Sequence, residues 1–581
     1  MYKILTPVLL FVAVTMPLLM SFSGHDRTGN PSPDDYPKDY FISPVKGPIH
    51  LTGTCGELRS NHFHSGADID GVVGDPVYAA ADGYVYRIKV LESGYGNVLY
   101  VKHPNGYSTV YAHLDRFSAE IQKYVKSNQY RKERFQVELR PPASMFRVKK
   151  GQEIAKLGNS GSSSGSHLHF EIRNAASRAL NPLLFGLPVV DNIAPELRDM
   201  KVYYLAEDRQ VLGSKAFPLH KDKKGNIGLE NDTINIGAWR VGFGVKTYDK
   251  SNGYPNSNGV YSIKLWANES LAYEWTADVF NFAETRYLNA HIDYSAKQRY
   301  GAWFHRCFVL PGNKLSNYGE TPGLGSIQLY KEVPVKIHLE IKDGTGNTKS
   351  LTFWVKRDDA DMDSFTSQPY QAFFPYDEDS HFEHDGFAIT MEKGSLYESL
   401  GFQYSSSLDE SSGIYSLMHH VHNTRVPVQK NFELRIRPDN LPAELRDKAF
   451  IAYCGEGKPD NCGGTWDGDM LKTRVRSFGD YCIMADTVAP YIKPVVFGSD
   501  MRKNKTMAFT IYDNFSISGT ARKLNYRGTV DGQWVLFEYD RKRNRLTYTF
   551  DEHVTSGTHM LRLNVTDDKG NERVFEEKFV R

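Results

Sequence analysis

Residues 165–172 read Gly-Ser-His-Leu-His-Phe-Glu-Ile, a stretch in which polar and apolar side chains alternate. On a β-strand, residues i and i+2 share a face. His167 and His169 are therefore expected to point to one side of the strand, while Leu168 and Phe170 pack on the other. The pattern predicts a β-strand with one apolar face and two histidines aimed at the same place.

A second stretch, residues 62–68, reads His-Phe-His-Ser-Gly-Ala-Asp. Its Ser-Gly pair favours a loop over a helix. His64 and Asp68 supply an imidazole nitrogen and a carboxylate oxygen, a mixed pair of ligands that suits Zn²⁺. His62 is a rival ligand, because in an extended segment it shares a face with His64.

A third histidine follows a predicted hairpin. The Asn105-Gly106 pair favours a type I′ turn, which needs positive φ at both of its residues. His113 lies on the strand after this turn, and its apolar neighbours face away from it, so it can project into a cleft. Any one of the three motifs arises by chance in a chain with 19 histidines. Together, in this order and within one segment, they indicate a site.

These motifs resemble those of the lysostaphin/LytM-type zinc metalloendopeptidases, which carry a His-x-x-x-Asp motif, a later strand histidine and a His-x-His motif. The glycine positions agree as well as the histidines. The matching stretches are residues 63–69, 74–79, 83–85, 111–114, 158–161 and 165–172. The resemblance covers residues 48–188, about a quarter of the chain, and it implies an antiparallel β peptidase domain there.

The resemblance implies three zinc ligands and two catalytic histidines that do not bind the metal. The ligands of one zinc ion per chain would be His64, Asp68 and His169, and the catalytic histidines would be His113 and His167. Three protein ligands leave a fourth position for a zinc-activated water that attacks the scissile amide. Glu171 either orients a ligand or is a solvated carboxylate at the strand end. No other cofactor site is expected.

The rest of the chain predicts further β-domains. Two pairs of motifs repeat: Asp191-Asn-Ile-Ala-Pro195 with Asp486-Thr-Val-Ala-Pro490, and Asp343-Gly-Thr-Gly-Asn347 with Asp567-Asp-Lys-Gly-Asn571. An alternating strand that ends in such a turn is typical of a sandwich hairpin. The fold class expected is therefore mostly β, with immunoglobulin-like β-sandwiches after the peptidase domain. They are predicted at residues 189–358 (enlarged) and 487–581, with a β-rich domain of unknown type at 359–486.

Residues 117–147 interrupt the β pattern and predict a partly helical insertion, with helical spacing over 118–133. The insertion leaves the domain after the His113 strand and returns before the His-x-His motif. We therefore expect it to form one wall of a substrate groove. Five basic side chains are expected to meet acidic peptides there, or else to form a solvated helix face: Lys123, Lys126, Arg131, Lys132 and Arg134.

The N-terminus predicts export. Lys3 and the mostly apolar residues 4–20 resemble a secretory signal peptide over residues 1–23, with an uncleaved membrane anchor as the alternative. Residues 24–47, rich in Pro, Asp and Gly, predict a linker. The expected location is the periplasm or cell envelope of a Gram-negative-type bacterium, with membrane contact only through an uncleaved signal segment.

The five cysteines are an odd number for an exported protein, and Cys454 and Cys462 are close enough in sequence to close a small loop.

The charge of the chain bears on its possible partners. The 70 Lys and Arg residues and 69 Asp and Glu residues leave a net charge of +1. Such a balance provides no basic field for nucleic acid, so none is expected as a partner.

The sequence predicts an exported zinc endopeptidase that hydrolyses the peptide cross-links of peptidoglycan, with stem peptides as partners. The residues themselves support an exported zinc-dependent hydrolase, and the resemblance supplies the substrate class. One alternative is a non-enzymatic peptidoglycan-binding regulator of other cell-wall hydrolases. Another is an envelope adhesion protein. Retention of all five metal and catalytic residues favours the enzyme, and the immunoglobulin-like domains are expected to position it or to bind an envelope protein.

Overall fold

The chain is mostly β, as its sequence predicts. The computed structural model describes residues 35–223, 227–358, 369–409, 413–455 and 457–581. The predicted signal peptide, residues 1–23, lies outside them. Within the described ranges, no helix is both long and apolar enough to span a membrane.

The N-terminal domain has one long helix among short strands. Its strands are β1 (Leu51–Gly53), β2 (Leu58–Arg59), β3 (His62–Phe63), β4 (Ala67–Asp70), β5 (Pro76–Tyr78), β6 (Gly83–Val90), β7 (Asn97–Lys102), β8 (Ser108–Leu114), β9 (Arg116–Phe117), β10 (Val137–Leu139), β11 (Arg147–Val148), β12 (Glu153–Lys156), β13 (His167–Arg173) and β14 (Ala179–Leu180). Its helices are α1 (Ala119–Lys132) and a 3₁₀ turn (Pro182–Phe185).

The main sheet of this domain runs in the order β1-β4-β13-β8-β7-β6-β10. β13 therefore lies between β4 and β8, antiparallel to both. The register places His169 opposite Asp68 on β4 and opposite Ala112 on β8. Leu168 and Phe170, at alternate positions of β13, are fully buried in the hydrophobic core. The alternation predicted for this strand is confirmed, and it brings the three histidine motifs to adjacent strands.

The predicted linker, residues 24–47, differs from expectation in its described part. Tyr36 and Phe41 are buried in the core of the N-terminal domain. Their ring centroids lie 4.8 Å and 5.6 Å from that of Phe185. Residues 35–47 are therefore part of the domain, because these two aromatic side chains remove apolar surface from water.

The first sandwich follows directly. Its strands are β15 (Glu196–Leu205), β16 (Val211–Pro218), β17 (His220–Lys221), β18 (Ile227–Gly228), β19 (Thr233–Ile236), β20 (Arg240–Tyr248), β21 (Ser262–Ala267), β22 (Ser270–Thr276), β23 (Val279–Phe280), β24 (His305–Arg306), β25 (Ile327–Gln328), β26 (Val335–Lys342) and β27 (Thr348–Arg357). Its helices are α2 (Leu288–His291), α3 (Tyr294–Tyr300) and a 3₁₀ turn (Thr285–Tyr287). Two five-stranded sheets, β16-β15-β20-β24 with β25, and β19-β27-β26-β21-β22, enclose one core.

Strand pairing and apolar contacts join this sandwich to the N-terminal domain, in addition to the chain connection. β23 pairs with β14 and so extends the sheet of the N-terminal domain. Phe63 on β3 is buried in the core of the sandwich, where its ring centroid lies 5.9 Å from Trp275 and 5.0 Å from Phe280. The two domains therefore share apolar contacts.

The middle and last domains are also sheets with little helix. The middle strands are β28 (Ala372–Phe374), β29 (Ser380–His384), β30 (Phe387–Met391), β31 (Leu400–Phe402), β32 (Tyr404–Ser407), β33 (Met418–Val421), β34 (Phe432–Ile436), β35 (Ala449–Tyr453), β36 (Asp460–Asn461), β37 (Thr465–Asp467), β38 (Met470–Val475) and β39 (Gly479–Ala485), with a 3₁₀ turn (Ala443–Lys448). The last strands are β40 (Tyr491–Val496), β41 (Thr506–Tyr512), β42 (Ser516–Ile517), β43 (Asn525–Val530), β44 (Gln533–Trp534), β45 (Glu538–Asp540), β46 (Arg545–Thr549), β47 (Thr558–Thr566) and β48 (Glu572–Val580), with a 3₁₀ turn (Arg541–Arg543). The last domain is a sandwich of the sheets β40-β41-β46-β45 and β44-β43-β47-β48.

The predicted insertion forms α1, which packs against the last sandwich. Tyr130 donates a hydrogen bond of 2.6 Å from its hydroxyl to Asp551 and stacks on His553 at 3.9 Å between ring centroids. Lys126 Nζ lies 2.8 Å from a carboxylate oxygen of Asp551. The expectation that Lys126 meets a substrate peptide is therefore wrong, since a carboxylate of the chain itself already pairs with it.

The cysteines are all free thiols. Cys454 forms no disulfide with Cys462, with which the sequence suggests a small loop. Its Sγ lies 3.4 Å from Sγ of Cys482, because β35 and β39 are antiparallel neighbours and Cys454 directly follows β35. Cys462 Sγ instead lies 3.1 Å from the hydroxyl of Ser518.

Candidate metal centre

Three side chains from β4, β13 and the loop before β4 meet at one point. His64 Nε2 lies 2.9 Å from His169 Nδ1 and 3.0 Å from Asp68 Oδ1. His169 Nδ1 lies 2.9 Å from the same Asp68 oxygen. All three residues are buried. The predicted ligand set is thus brought together as a triangle of potential donor atoms.

In each of the two imidazoles, the ring nitrogen outside the triangle faces an oxygen acceptor. In the neutral ring that nitrogen therefore carries the proton, and the nitrogen inside the triangle keeps a lone pair. His64 Nδ1 lies 2.9 Å from the carbonyl oxygen of Thr54, which only accepts, so Nδ1 carries the proton. His169 Nε2 likewise faces a carboxylate oxygen of Glu171 at 2.9 Å. Two imidazole lone pairs and the carboxylate oxygen of Asp68 therefore converge. Three acceptors at this spacing need a cation, and two nitrogens with one oxygen fit Zn²⁺.

The charges of the surrounding side chains agree with this arrangement. Burial alone would raise the pKa of Asp68, but His64, His167 and His169 around it hold that pKa well below its ordinary value. Burial opposes a charge on His169, yet hydrogen bonds to Asp68 and Glu171 outweigh it and raise the pKa of His169 to about 9. Without a metal ion Nδ1 therefore carries a proton at pH 7, and a bound cation would displace this proton and use the lone pair. The site therefore favours a carboxylate at Asp68 and positive charge beside it.

Glu171 is a buried orienting residue, and the alternative of a solvated strand-end carboxylate is wrong. Its side chain is fully buried. Besides His169, it accepts hydrogen bonds from the hydroxyls of Tyr95 at 2.5 Å and Ser65 at 2.7 Å, and from Arg173 Nε at 2.6 Å. Despite burial, which would raise it, Arg173 and His169 lower the pKa of Glu171. This network fixes the His169 ring, as partners of metal-binding histidines commonly do.

Two further side chains lie near the triangle, one expected from the sequence and one not. His62 is exposed, and its Nδ1 lies 2.9 Å from the carbonyl oxygen of Ser60, outside the triangle. The rival ligand is therefore not part of the cluster. Arg59 was not recognised from sequence, yet its Nη2 lies 2.7 Å from Asp68 Oδ2. It neutralises the Asp68 oxygen outside the triangle, and no spacing rule points to it.

The predicted catalytic histidines stand beside the triangle. The ring centroid of His113 lies 4.8 Å from that of His167 and 5.9 Å from that of His169. His113 has φ of 59°, an uncommon backbone conformation for a residue other than glycine. The ladder between β7 and β8 also shifts register close to this residue. Such an irregularity turns a side chain in a direction that the regular alternation of a strand would not give it.

Both catalytic candidates direct Nδ1 at a backbone carbonyl oxygen. His113 Nδ1 lies 2.9 Å from the carbonyl oxygen of Ser160, and His167 Nδ1 lies 3.1 Å from that of Gly165. Each Nδ1 therefore donates to a carbonyl, and Nε2 keeps the lone pair. His167 Nε2 is buried 3.4 Å from Asp68 Oδ1, and it has no hydrogen-bond partner among the described residues. Burial and the neighbouring His169 and His167 lower the pKa of His113 to about 3, so it is neutral at pH 7.

Family models match two parts of the chain. Residues 62–130 and 144–182 match the model of Peptidase family M23, and the break between them falls inside the insertion. The predicted resemblance to lysostaphin/LytM-type peptidases is thereby confirmed for this domain. Residues 371–486 match a model described as a Zu5-like domain, in the region whose fold the sequence left unnamed.

The relatives match about a quarter of the chain. DD-carboxypeptidase/endopeptidase Mpg of Neisseria meningitidis is 31% identical over 153 residues, which cover 26% of this chain and 28% of the relative. Murein hydrolase activator NlpD of Escherichia coli is 34% identical over 122 residues, 21% of this chain and 26% of the relative. Among solved structures, the catalytic domain of lysostaphin from Staphylococcus simulans is 22% identical with a TM-score of 0.18, covering 24% of this chain and 91% of that one. The chain therefore spans about a quarter of the length of these two relatives.

Proposed function

We propose that the N-terminal domain is a zinc-dependent endopeptidase that hydrolyses peptide cross-links of peptidoglycan in the periplasm. The observation that carries the proposal is the convergence of two imidazole lone pairs and one carboxylate oxygen within 3.0 Å of one another. A zinc ion held by His64, Asp68 and His169 would act as a Lewis acid and lower the pKa of water to about 7.

The two remaining histidines supply the proton chemistry. His167 Nε2 has no hydrogen-bond partner and faces the metal ligands, so it is placed to take a proton from the attacking water. His113, neutral at pH 7, is placed to hydrogen-bond the substrate or exchange a proton with it on the same side of the cluster. The carbonyls bound to their Nδ1 atoms keep both rings in the tautomer that leaves Nε2 free.

The substrate class rests on the relatives. The Neisseria relative is named for carboxypeptidase and endopeptidase activity of the DD type. The segments that match Peptidase family M23, residues 62–130 and 144–182, contain all five proposed metal and catalytic residues. A peptide of the cell wall is the substrate class that agrees with the relative's name and with the residues of the site. The sandwiches would hold the enzyme at the envelope or bind an envelope protein.

A second candidate is a regulator of other cell-wall hydrolases. The observation that favours it is the 34% identity to the murein hydrolase activator of Escherichia coli. Such a protein binds peptidoglycan or a hydrolase without cutting a peptide itself. The complete set of ligands and free Nε2 atoms favours the enzyme, because a regulator needs neither.

Purified protein and purified sacculi test the choice. The chain is stripped of metal, reloaded with one equivalent of Zn²⁺, and incubated with sacculi from a strain with direct peptide cross-links. We expect cross-linked muropeptides to be converted to monomers, with loss of conversion after chelation and recovery on adding Zn²⁺. Mass analysis of products identifies the bond. An intact cross-link pattern with the zinc-loaded chain, together with stimulation of an added hydrolase, would favour the regulator.

A further inference from the structure

The repeated sequence motifs of the two sandwiches meet in space as two matching acidic clusters. Each cluster contains three aspartates, one from each of three separate parts of its sandwich. Their carboxylate oxygens lie within 4.8 Å of one another: Asp191, Asp249 and Asp343 in the first sandwich, and Asp486, Asp513 and Asp567 in the last. Two of the three positions belong to the sequence repeats. The third position is the residue after an inner strand that ends in a tyrosine: Asp249 follows β20, and Asp513 follows β41.

The first cluster is built on a turn and on the segment that enters the sandwich. Asp343 Oδ1 accepts hydrogen bonds from the backbone N–H groups of Thr345 at 2.8 Å and Asn347 at 2.9 Å. Asn347 Nδ2 donates to Asp343 Oδ2 at 2.8 Å and to the carbonyl oxygen of Asp191 at 3.2 Å. The entering segment and the distal hairpin are thus held together at the cluster.

The last sandwich repeats this construction. Asp567 Oδ1 accepts from the backbone N–H groups of Lys569 at 2.8 Å and Asn571 at 2.9 Å. Asn571 Nδ2 donates to Asp567 Oδ2 at 2.8 Å and to the carbonyl oxygen of Asp486 at 3.0 Å. The same atoms therefore play the same parts in two domains that are separated by the middle domain.

Asp249 and the residue paired with it each have a buried oxygen without a donor among the described residues. Asp249 is 3% exposed, and its Oδ1 has no hydrogen-bond partner. Asn258, 2% exposed, has an equally unpartnered Oδ1. The two residues lie directly opposite each other, since each backbone N–H donates to the other's carbonyl at 2.9 Å, so their side chains leave the ladder on the same side. An amide oxygen outside the acidic trio therefore accompanies the unpartnered carboxylate oxygen.

The last cluster has the corresponding feature. Asp513 Oδ1 and Asn514 Oδ1 are buried and unpartnered, while Asn514 Nδ2 donates to Asp486 Oδ1 at 3.1 Å. Unsatisfied buried oxygens are costly and uncommon. The unpartnered aspartate oxygen recurs at the same place in both domains, and an unpartnered amide oxygen accompanies it, from the cross-strand neighbour Asn258 in the first and from the next residue, Asn514, in the last. This recurrence indicates that both positions bind a ligand that takes oxygen donors.

The chemistry of the donors selects the ligand. The described residues provide no Lys or Arg ion pair for any aspartate of the first cluster. A set of carboxylate and amide oxygens with no nitrogen or sulfur ligand is the set that Ca²⁺ prefers in proteins.

We propose that each of the two sandwiches binds one Ca²⁺ ion at its aspartate cluster. Asp191 lies between the N-terminal domain and β15, and Asp486 lies between β39 and β40. Each ion would tie the segment that enters a sandwich to the end of an inner strand and to the distal hairpin. Calcium would therefore stiffen the junctions that set the direction of the sandwiches relative to the domains before them.

The test uses the full chain, stripped of metal and reloaded with one equivalent of Zn²⁺ so that the zinc site does not take up calcium. Isothermal titration with Ca²⁺ is expected to give two sites per chain, with Kd on the order of 10⁻⁴ M or tighter. Thermal unfolding is expected to shift upward with Ca²⁺. Fewer than one bound Ca²⁺ per chain at millimolar concentration would overturn the proposal, as would Mg²⁺ binding as tightly as Ca²⁺.

Variants assign the sites. Asp249→Asn and Asp513→Asn are each expected to weaken one site by about tenfold or more, because affinity follows the number of charged ligands. Asn258→Ala, which leaves every aspartate in place, is expected to weaken the first site only. Asp500→Asn, at an exposed aspartate 2.7 Å from Arg502, is the matched control and should leave both sites intact. His169→Ala should also keep two Ca²⁺ sites, which separates this result from the zinc proposal. Unchanged binding in both cluster variants, Asp249→Asn and Asp513→Asn, would contradict the assignment.

Discussion

Lys542 Nζ, in the last sandwich, donates a hydrogen bond of 3.0 Å to the carbonyl oxygen of Ser163 in the N-terminal domain. It also donates to the side-chain oxygen of Asn159 at 2.9 Å. The loop of residues 159–165 carries the carbonyls that fix the rings of His113 and His167. A domain almost 400 residues away in sequence thus holds the loop that orients the proposed catalytic histidines.

Lys542→Ala is expected to lower kcat by roughly tenfold, because a small displacement of positioned catalytic groups has effects of this order or larger. Zinc content should stay unchanged, since no ligand is touched, and Lys542→Arg should restore part of the rate. Kinetics of peptide cleavage with metal analysis check this. Lys503→Ala, at an exposed lysine of the same sandwich, is the control. Equal kcat values for Lys542→Ala and the control would count against a positioning role.

The contact between α1 and the last sandwich is expected to weaken in acid. Burial would raise the pKa of Asp551, but hydrogen bonds from Lys126, Tyr130 and Tyr548 lower it well below the ordinary value. A carboxylate whose folded pKa is depressed stabilises the fold above its unfolded pKa of about 4, and this contribution is lost as pH falls further.

Urea unfolding of the wild type and of Asp551→Asn between pH 7 and pH 3 measures this effect. The free energy of unfolding of the wild type should exceed that of the variant at pH 7, and the difference should shrink below about pH 4. A difference that stays constant over the whole range would show that the charge of Asp551 contributes nothing.

Phe63→Ala is expected to destabilise the chain by about 3 to 5 kcal/mol, as for other fully buried phenylalanines. Phe63 belongs to the N-terminal domain but is packed beside Trp275 and Phe280 in the first sandwich. The variant should therefore lower the unfolding transition of both domains together. Phe373→Ala, at a side chain that is 55% exposed, is the control. Loss confined to the N-terminal domain would mean that the shared contact does not couple the two.

The part of the site that could be predicted from sequence follows the period of a strand. The alternation over residues 165–172 predicted that His167, His169 and Glu171 share one face of a strand, because side chains two residues apart on a strand point to the same side. Asp68 and His64 required the family resemblance, because the Ser65-Gly66 pair between them interrupts any strand period from which a common direction could be inferred. The repeats at Asp191 and Asp486 were visible as turn motifs, but not as clusters.

The remaining contacts join residues far apart in the chain, and no local pattern contains them. Lys126 and Asp551 are an example: a basic residue on a helix face indicates solvent or substrate as readily as a carboxylate of another domain. Arg59 beside Asp68 and Phe63 beside Trp275 are further examples. Asp249 joins Asp191 and Asp343 only after three segments fold together.

The most direct test of the central claim compares zinc content with sacculus cleavage in three variants. His169→Ala should lose most of its zinc, because Nδ1 of that residue lies in the ligand triangle. His113→Ala and His167→Ala should keep about one zinc per chain while cleavage falls by about 10² to 10⁴, the usual loss for such a group. Loss of zinc from His113→Ala or His167→Ala, or cleavage and zinc both retained by His169→Ala, would contradict the account.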